Sequence, residues 1–194
     1  MTYLQAIIIG ALQGVTELFP VSSLGHSVII PALLGGSWAR NLDMTATDSP
    51  YLAFLIAVHV ATAIALVVFF RRDWLRIIVG FVTSIRDRRV TTSDQRLAWL
   101  LIRGLSHEDA ARFAFLLATP VILAAGVLKL PELAGPEGHG VLGQVVAGSV
   151  VAGVAAYLSL RFLTRYFETR TLTPFAIYCL VAGLASLGWL AVAR

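Results

Sequence analysis

The sequence predicts an all-α, polytopic integral membrane protein. Of its 194 residues, 58% are hydrophobic and only 13% are charged, and the mean hydropathy is +0.81. Soluble domains are usually close to one-quarter charged and less than half apolar. Three uncharged runs are long enough to cross roughly 30 Å of hydrocarbon as helices, namely residues 51–70, 141–160 and 174–193. We expect a single membrane domain over residues 1–194.

A fourth span is predicted over residues 113–128, although it is shorter and contains Pro120. Proline is tolerated in a membrane helix where neighbouring helices satisfy the freed carbonyl. A hairpin rich in polar residues is predicted over 1–36. Residues 71–112 are mostly a connection, because their apolar runs are too short to span. The single cysteine, Cys179, is expected to pack as a small core thiol.

Basic residues are concentrated in two segments beside the predicted spans. Nine of the 15 lie between Arg71 and Arg112, and three more lie in the segment 161–170. Basic residues beside spans mark the cytoplasmic side of a membrane protein. This pattern places both segments in the cytoplasm and the loops 36–50 and 131–140 outside. The charge therefore reports orientation, and no nucleic-acid partner is predicted.

One polar stretch interrupts the apolar pattern, ALQGVTELFPVSSLGHS at residues 11–27. Gln13 and Glu17 are four residues apart and share one face of a helix. Pro20 breaks that helix, because proline lacks an N–H and clashes with the preceding turn. The stretch therefore predicts a re-entrant broken helix with a carboxylate on its first arm.

The second arm is predicted to begin at Ser22 or Ser23, since serine is a favoured helix N-cap. His26 follows three to four residues later, on the same face as a capping hydroxyl. Counting 11 residues back from Ser37, at about 1.5 Å per residue, places His26 about 16 Å below the outer surface. Ionisable residues at that depth are functional candidates by default.

These residue types suit phosphate chemistry. A helix N-terminus binds phosphate through its free N–H groups and its partial positive charge. Serine or histidine can act as nucleophile, and a neighbouring group can transfer the proton. A carboxylate can hold a divalent cation. The competing interpretation is that the polar side chains only pair with neighbouring helices, and His59 is predicted either to support the cluster or to pair in this way.

The stretch LQGVTELFPVSSLGH resembles the first signature of the bacterial undecaprenyl-diphosphatase, or bacitracin-resistance, family. That signature is Glu or Gln, three residues, Glu, then Pro-Val-Ser-Ser, two residues and His. The matching positions are Gln13, Glu17, Ser22, Ser23 and His26. The likeness continues through AVHVATAIALVVFFRRDW, GLSHEDAARFAFLLATPVILAAGVLKL and RFLTRYFETRTLTPFAIY.

The resemblance implies an enzyme that removes one phosphate from undecaprenyl diphosphate and so recycles the lipid carrier of cell-wall synthesis. It implies a plasma-membrane fold of two inverted repeats, each with a re-entrant helix, and a periplasm-facing site. It also implies a divalent cation, Mg²⁺ or Ca²⁺, besides the polyprenyl diphosphate and membrane lipids; a homodimer is compatible with the sequence. The implied roles are catalysis by Glu17, Ser22, Ser23 and His26, substrate binding by Gln13, Ser22, Ser23 and Gly25, and metal binding by Glu17 and Gln13.

The second family signature, Pro-Gly-x-Ser-Arg-Ser, is missing from this chain. The stretch that should follow it begins at Gly104, and we predict an internal deletion near 95–104 or a divergent short member. By the predicted topology, neither Arg40 nor Arg112 replaces the lost arginine. We therefore expect weak hydrolysis. The alternatives are a lipid-carrier transporter or flippase without hydrolysis, and a catalytically dead remnant.

Overall fold

The computed structural model describes residues 1–45, 49–96, 98, 116, 119–128, 140–167 and 169–192. The helices in this part of the chain are α1 (Tyr3–Thr16), α2 (Ser23–Leu34), α3 (Gly36–Asn41), α4 (Pro50–Phe69), α5 (Arg71–Asp87), α6 (Thr119–Leu128), α7 (Leu142–Tyr166) and α8 (Thr173–Val192). Three of them, α4, α7 and α8, are long and apolar enough to cross a membrane. The prediction of an all-α membrane protein is therefore confirmed.

Two of the sequence predictions fall partly outside the described residues. The predicted span 113–128 is described continuously only from Thr119 onward. Most of the segment 95–104, where the deletion is predicted, is also outside the described part of the chain.

The first two helices form the re-entrant arm. α1 begins with a capping box in which Thr2 and Gln5 bond each other's backbone N–H groups. With 14 and 12 residues, α1 and α2 are about 21 and 18 Å long, so neither crosses the membrane alone. Between them the chain reverses at Pro20, where the Val21 N–H donates to the Phe19 carbonyl at 2.7 Å.

Small residues let α1 lie directly against α7. A Cβ atom at Gly10 would fall on the Gly148 carbonyl, and one at Gly14 would fall on the Ala152 carbonyl. Small residues spaced by four are the usual means of close helix packing in membranes, where the hydrophobic effect does not drive association. Because the contact positions advance together along the chain, α1 and α7 run parallel.

α4 also runs parallel to α7. Phe54 lies against Gly148 near the start of both helices, and the rings of Phe69 and Tyr157 are 5.5 Å apart nearer their ends. The arginines that follow α4 and those on the last turns of α7 therefore lie at the same end of the bundle, which we call the basic end. The opposite end, where Met1, α3 and Pro50 lie, is the loop end.

The structure contains more helix beside the basic end than the sequence analysis predicts. The connection 71–112 opens with the 17-residue helix α5, whose Arg76 makes two hydrogen bonds to Asp94 Oδ1 at 3.0 and 2.7 Å. These bonds hold the pKa of the Arg76 guanidinium above its ordinary value. In addition, α7 continues past the predicted 141–160, so that Arg161 and Arg165 are on a helix and not in a loop.

Candidate active site at the broken helix

A polar layer separates two apolar cores along the bundle. On α4, the core at the loop end includes Phe54 and Val58, and the core at the basic end includes Leu66. His59 lies between them, nine residues after Pro50 and therefore about 14 Å along the span. Polar groups at this depth have little access to water, so their partners must come from the protein or a ligand.

Glu17 is the centre of this layer. Its Oε2 atom accepts a hydrogen bond from Gln13 Nε2 at 3.0 Å and another from the Ser23 hydroxyl. His59 Nε2 lies 3.5 Å from the same oxygen. We call Gln13, Glu17, Ser23 and His59 the Glu17 network. It joins α1, α2 and α4, and it brings three of the sequence-predicted site residues together around one carboxylate.

His59 is oriented by its own helix. Its Nδ1 atom is 2.7 Å from the Leu55 carbonyl oxygen, which can only accept, so Nδ1 carries the proton. The remaining ring nitrogen, Nε2, therefore faces Glu17, and it pairs with the carboxylate when it also carries a proton. Of the two sequence interpretations of His59, this geometry favours support of the cluster.

The two adjacent serines have different positions. Ser22 is the N-cap of α2, and its Oγ accepts from the Gly25 N–H at 3.2 Å. Its φ of 67° is in the left-handed region, which a non-glycine residue adopts at a cost of about 1–3 kcal/mol. Ser23 is instead buried and bonded to Glu17. The strained backbone at Ser22 is what turns Ser23 toward the carboxylate.

The cap also removes the Gly25 N–H from the groups available to bind a phosphate. Its N–H is already bonded to Ser22, so a phosphate at this end of α2 meets the N–H groups of Ser23 and Leu24, which precede the first intrahelical bond. A Cβ at Gly25 would lie 3.1 Å from Ser22 Oγ, which makes glycine the residue that leaves the cap undisturbed.

His26 is on the other side of the broken helix. Its Nδ1 atom is 2.7 Å from the Ser22 carbonyl oxygen and its Nε2 atom is 2.6 Å from the Tyr178 hydroxyl. The two rings are parallel, with centroids 5.7 Å apart. We call His26 and Tyr178 the His26 pair. Its hydrogen bonds do not reach the Glu17 network, so the structure separates residues that the sequence analysis had grouped.

Sequence reasoning missed Tyr178. It lies in an apolar span, 152 positions from His26, and no local spacing connects the two. The one available signal was a phenol within an otherwise apolar helix, because a buried or lipid-facing tyrosine usually finds a partner for its hydroxyl.

A cavity of about 780 Å³ lies between α2 and α8. His26 and Tyr178 are near its deep end, and Leu33 and Trp189 are near the loop end. The lining between them is mostly apolar. The expectation for Cys179 was wrong: the thiol is exposed and lines this cavity, with Sγ 3.6 Å from the Pro20 carbonyl oxygen.

The Glu17 network offers oxygen atoms to a divalent cation. Gln13 is fully buried and its Oε1 atom has no hydrogen-bond partner. The Glu17 carboxylate and the Ser23 hydroxyl are the neighbouring oxygens. The described residues contain no cluster of three or more His, Cys, Asp or Glu side chains. A cation here would therefore take its other ligands from water and from substrate phosphate, as Mg²⁺ commonly does.

A hydroxyl bonded to a carboxylate, beside a free helix N-terminus in a bundle with candidate membrane spans, is an arrangement suited to phosphate chemistry. Comparison with known proteins agrees with this class. The family model described as bacitracin resistance protein BacA matches residues 6–105 and 100–185. The chain belongs to this family.

Proteins of several bacteria are similar to this chain in sequence. An undecaprenyl-diphosphatase of Mycobacterium avium (strain 104) is 43% identical over 300 residues, covering 99% of this chain and 98% of the relative. Undecaprenyl-diphosphatase 2 of Frankia alni is 38% identical over 330 residues, with 94% and 96% covered. Undecaprenyl-diphosphatase 2 of Burkholderia ambifaria is 32% identical over 272 residues, with 94% and 95% covered.

The alignments with these relatives are longer than this chain. The alignment with the Mycobacterium avium relative extends over 300 positions, although this chain has 194 residues, so it contains long gaps on this chain's side. The family model matches in two pieces that meet at residues 100–105.

Proposed function

We propose that this chain hydrolyses undecaprenyl diphosphate to undecaprenyl phosphate and phosphate. The observation that carries the proposal is the hydrogen bond from Ser23 to Glu17, whose carboxylate also accepts from Gln13 and lies 3.5 Å from His59 Nε2. A nucleophile bonded to a base, with the base held by further groups, is the arrangement used in covalent catalysis. The names of the relatives supply the substrate.

In this mechanism Glu17 takes the proton of the Ser23 hydroxyl as Oγ attacks the terminal phosphorus. The phosphoanhydride bond breaks, undecaprenyl phosphate leaves with the bonding electrons, and a phosphoserine forms. Glu17 passes this proton to the departing undecaprenyl phosphate and becomes a carboxylate again. It then takes a proton from a water molecule that attacks the phosphoserine, and the Ser23 oxygen leaves with the bonding electrons, takes that proton back and releases phosphate. The N–H groups of Ser23 and Leu24 hold the phosphate oxygens.

Gln13, through Oε1, and Glu17, through its carboxylate, would hold Mg²⁺ or Ca²⁺. When bound, the cation neutralises charge on the diphosphate. The unpartnered Gln13 Oε1 supports this assignment. His26, at the deep end of the α2–α8 cavity, binds the lipid-linked phosphate, and the apolar cavity takes the first part of the polyprenyl tail.

The basic end of the bundle is proposed to face the cytoplasm, since it carries the arginines that follow α4 and those on the last turns of α7. The α2–α8 cavity then opens toward the periplasm. In a Cys179→Ala background, a membrane-impermeant thiol reagent added outside should label Ser37→Cys and spare Arg88→Cys. Labelling of Arg88→Cys from outside would reverse the orientation and place the site on the cytoplasmic side.

Hydrolysis by this chain is expected to be slow. Within the described residues, no arginine contacts the Glu17 network, and the second signature that supplies one in the family is absent. A lost cation at a transferring phosphoryl group commonly costs about three orders of magnitude or more. The two-piece match to the family model supports a deletion at 100–105.

The test is release of phosphate from undecaprenyl diphosphate by the purified chain, with the Mycobacterium avium relative assayed in the same detergent and cation. We expect this chain to be slower by about a thousandfold. Inserting the relative's unmatched segment between Ile102 and Arg103 should restore the rate; we call this variant the restored chain. Equal rates for the unmodified chain and the relative would refute the role given to the missing arginine.

A transporter of the lipid carrier would need no nucleophile. If the restored chain releases no phosphate yet moves undecaprenyl phosphate across liposomes, hydrolysis is the wrong function for this chain. Release of phosphate that is abolished by a chelator and recovered with Mg²⁺ or Ca²⁺ would support both the enzyme and its cation.

A further inference from the structure

One face of α7 changes from apolar to cationic along its length. Val150, Val154 and Leu158 are followed by Arg161 and Arg165 at helical spacings of three and four, so these residues form one continuous row. All five side chains are exposed. The change occurs at the basic end of the bundle, where a membrane helix meets the lipid headgroups.

The cationic part of this row borders a cavity of about 500 Å³. Arg161, Arg165 and Arg170 line it, and its remaining lining comes from α7 and the turn that follows: Leu158, Phe162, Tyr166 and Thr169. Among the described residues, none of these arginines forms an ion pair, whereas Arg76 and Arg86 elsewhere at the basic end do. Like charges four residues apart on a helix repel each other, so an anion between them is stabilising.

The apolar part of the row borders a second space, a groove of about 520 Å³ between α4 and α7. Ala61, Ile64 and Val68 form its α4 wall. On α7 the groove extends from Ser149 to Leu158, which is about 14 Å of helix. Leu158 lines both spaces, so the groove and the arginine cavity adjoin.

We propose that this surface binds an anionic phospholipid, with the headgroup phosphate between Arg161, Arg165 and Arg170 and an acyl chain in the groove between α4 and α7. An apolar groove that ends in cations with no ion-pair partner in the described part of the chain matches a ligand that is apolar along its length and anionic at one end. Guanidinium groups are suited to phosphate because their N–H donors match its oxygens in pairs. The site is separate from the Glu17 network and does not depend on hydrolysis.

The test is equilibrium binding of a fluorescent phosphatidylglycerol to the full chain in detergent, without undecaprenyl diphosphate. Unlabelled phosphatidylglycerol should compete at least about tenfold better than phosphatidylcholine, which has no net charge. Inorganic phosphate should not displace the lipid, because it cannot fill the groove. Displacement by inorganic phosphate at the same concentrations would overturn the acyl-chain half of the proposal.

Two pairs of substitutions locate the headgroup. The double variant Arg161→Gln/Arg165→Gln should lower the affinity about thirtyfold, since each basic side chain near the lipid surface contributes a substantial factor. Arg161→Lys/Arg165→Lys keeps the charge and should retain most of the binding, which separates loss of charge from misfolding. The matched control Arg88→Gln/Arg89→Gln removes two charges outside the cavity and should bind like the parent.

One further substitution locates the acyl chain. Val154→Phe should narrow the groove without changing charge, and it should weaken lipid binding while the preference for an anionic headgroup remains. Val154 is 57% exposed, so the larger ring can be accommodated without disturbing a core. Equal affinity of the parent, the Arg161→Gln/Arg165→Gln variant and the control would refute the site.

Discussion

The Glu17 network and the His26 pair come from the same short motif but differ in how they are held. The network is fixed by α1, α2 and α4, and two of its members, Gln13 and Ser23, are buried. The His26 pair depends on α2 and α8, and α8 has no buried residue. The Glu17 network is therefore part of the helix bundle, whereas the His26 pair borders an open cavity.

This difference indicates that the Glu17 network and the His26 pair have different roles. The partly buried carboxylate of Glu17 is held in fixed geometry by a buried amide and a buried hydroxyl, which is what a chemical step requires. A histidine beside an apolar cavity, paired with a tyrosine on a helix that has no buried residue, suits a ligand that must enter and leave sideways from the membrane. The left-handed Ser22 backbone sets the direction in which α2 leaves α1, so that Ser23 bonds Glu17 while His26, one turn further along α2, bonds Tyr178 of α8.

The largest expected effect distinguishes the two serines of the motif. In the restored chain, Ser23→Ala should lower kcat by at least about a thousandfold, because it removes the proposed nucleophile. Ser22→Ala removes only a helix cap, usually worth about 1 kcal/mol, and should cost at most about tenfold. Phosphate release from undecaprenyl diphosphate measures both. The reverse order of effects would assign the nucleophile to Ser22.

A smaller effect is expected at the His26 pair. Tyr178→Phe removes the hydroxyl that bonds His26 Nε2 and should lower kcat/KM about fivefold, the usual value of one neutral hydrogen bond. If His26 serves substrate binding, the change should appear mainly in KM. Tyr3→Phe, at the start of α1, is the control and should behave like the parent. A loss confined to kcat would place His26 in the chemical step.

Hydropathy and one proline were sufficient to predict the architecture near the site. The uncharged run ending at Phe70 predicts a membrane-spanning helix, because only such a run is stable in lipid. Pro20, between a carboxylate and two serines, predicts a break in the first helix. The separation of His26 from Glu17 could not be predicted, because the sequence marks Ser22 as a candidate N-cap but does not give the direction in which α2 leaves the turn. Tyr178 is joined to His26 only by tertiary packing.

The extent of α7 was underestimated for a similar reason. Hydropathy marks the apolar part of a helix and ends at Leu160, where the arginines begin. The helix itself continues to Tyr166 because arginine is a good helix former, and Phe162 and Tyr166 stack against each other with centroids 5.8 Å apart. At its C-terminal end, the α7 span predicted from hydropathy is therefore shorter than the helix that contains it.

The most direct test of the central claim, that chemistry occurs at the Glu17 network, is the phosphate-release rate of Glu17→Gln in the restored chain. Glutamine keeps the size of the side chain but can neither accept the Ser23 proton nor provide a charged ligand for a cation. We expect a loss of at least about a hundredfold, with unchanged membrane insertion and unchanged binding of phosphatidylglycerol. A variant that releases phosphate at close to the parental rate would contradict the account.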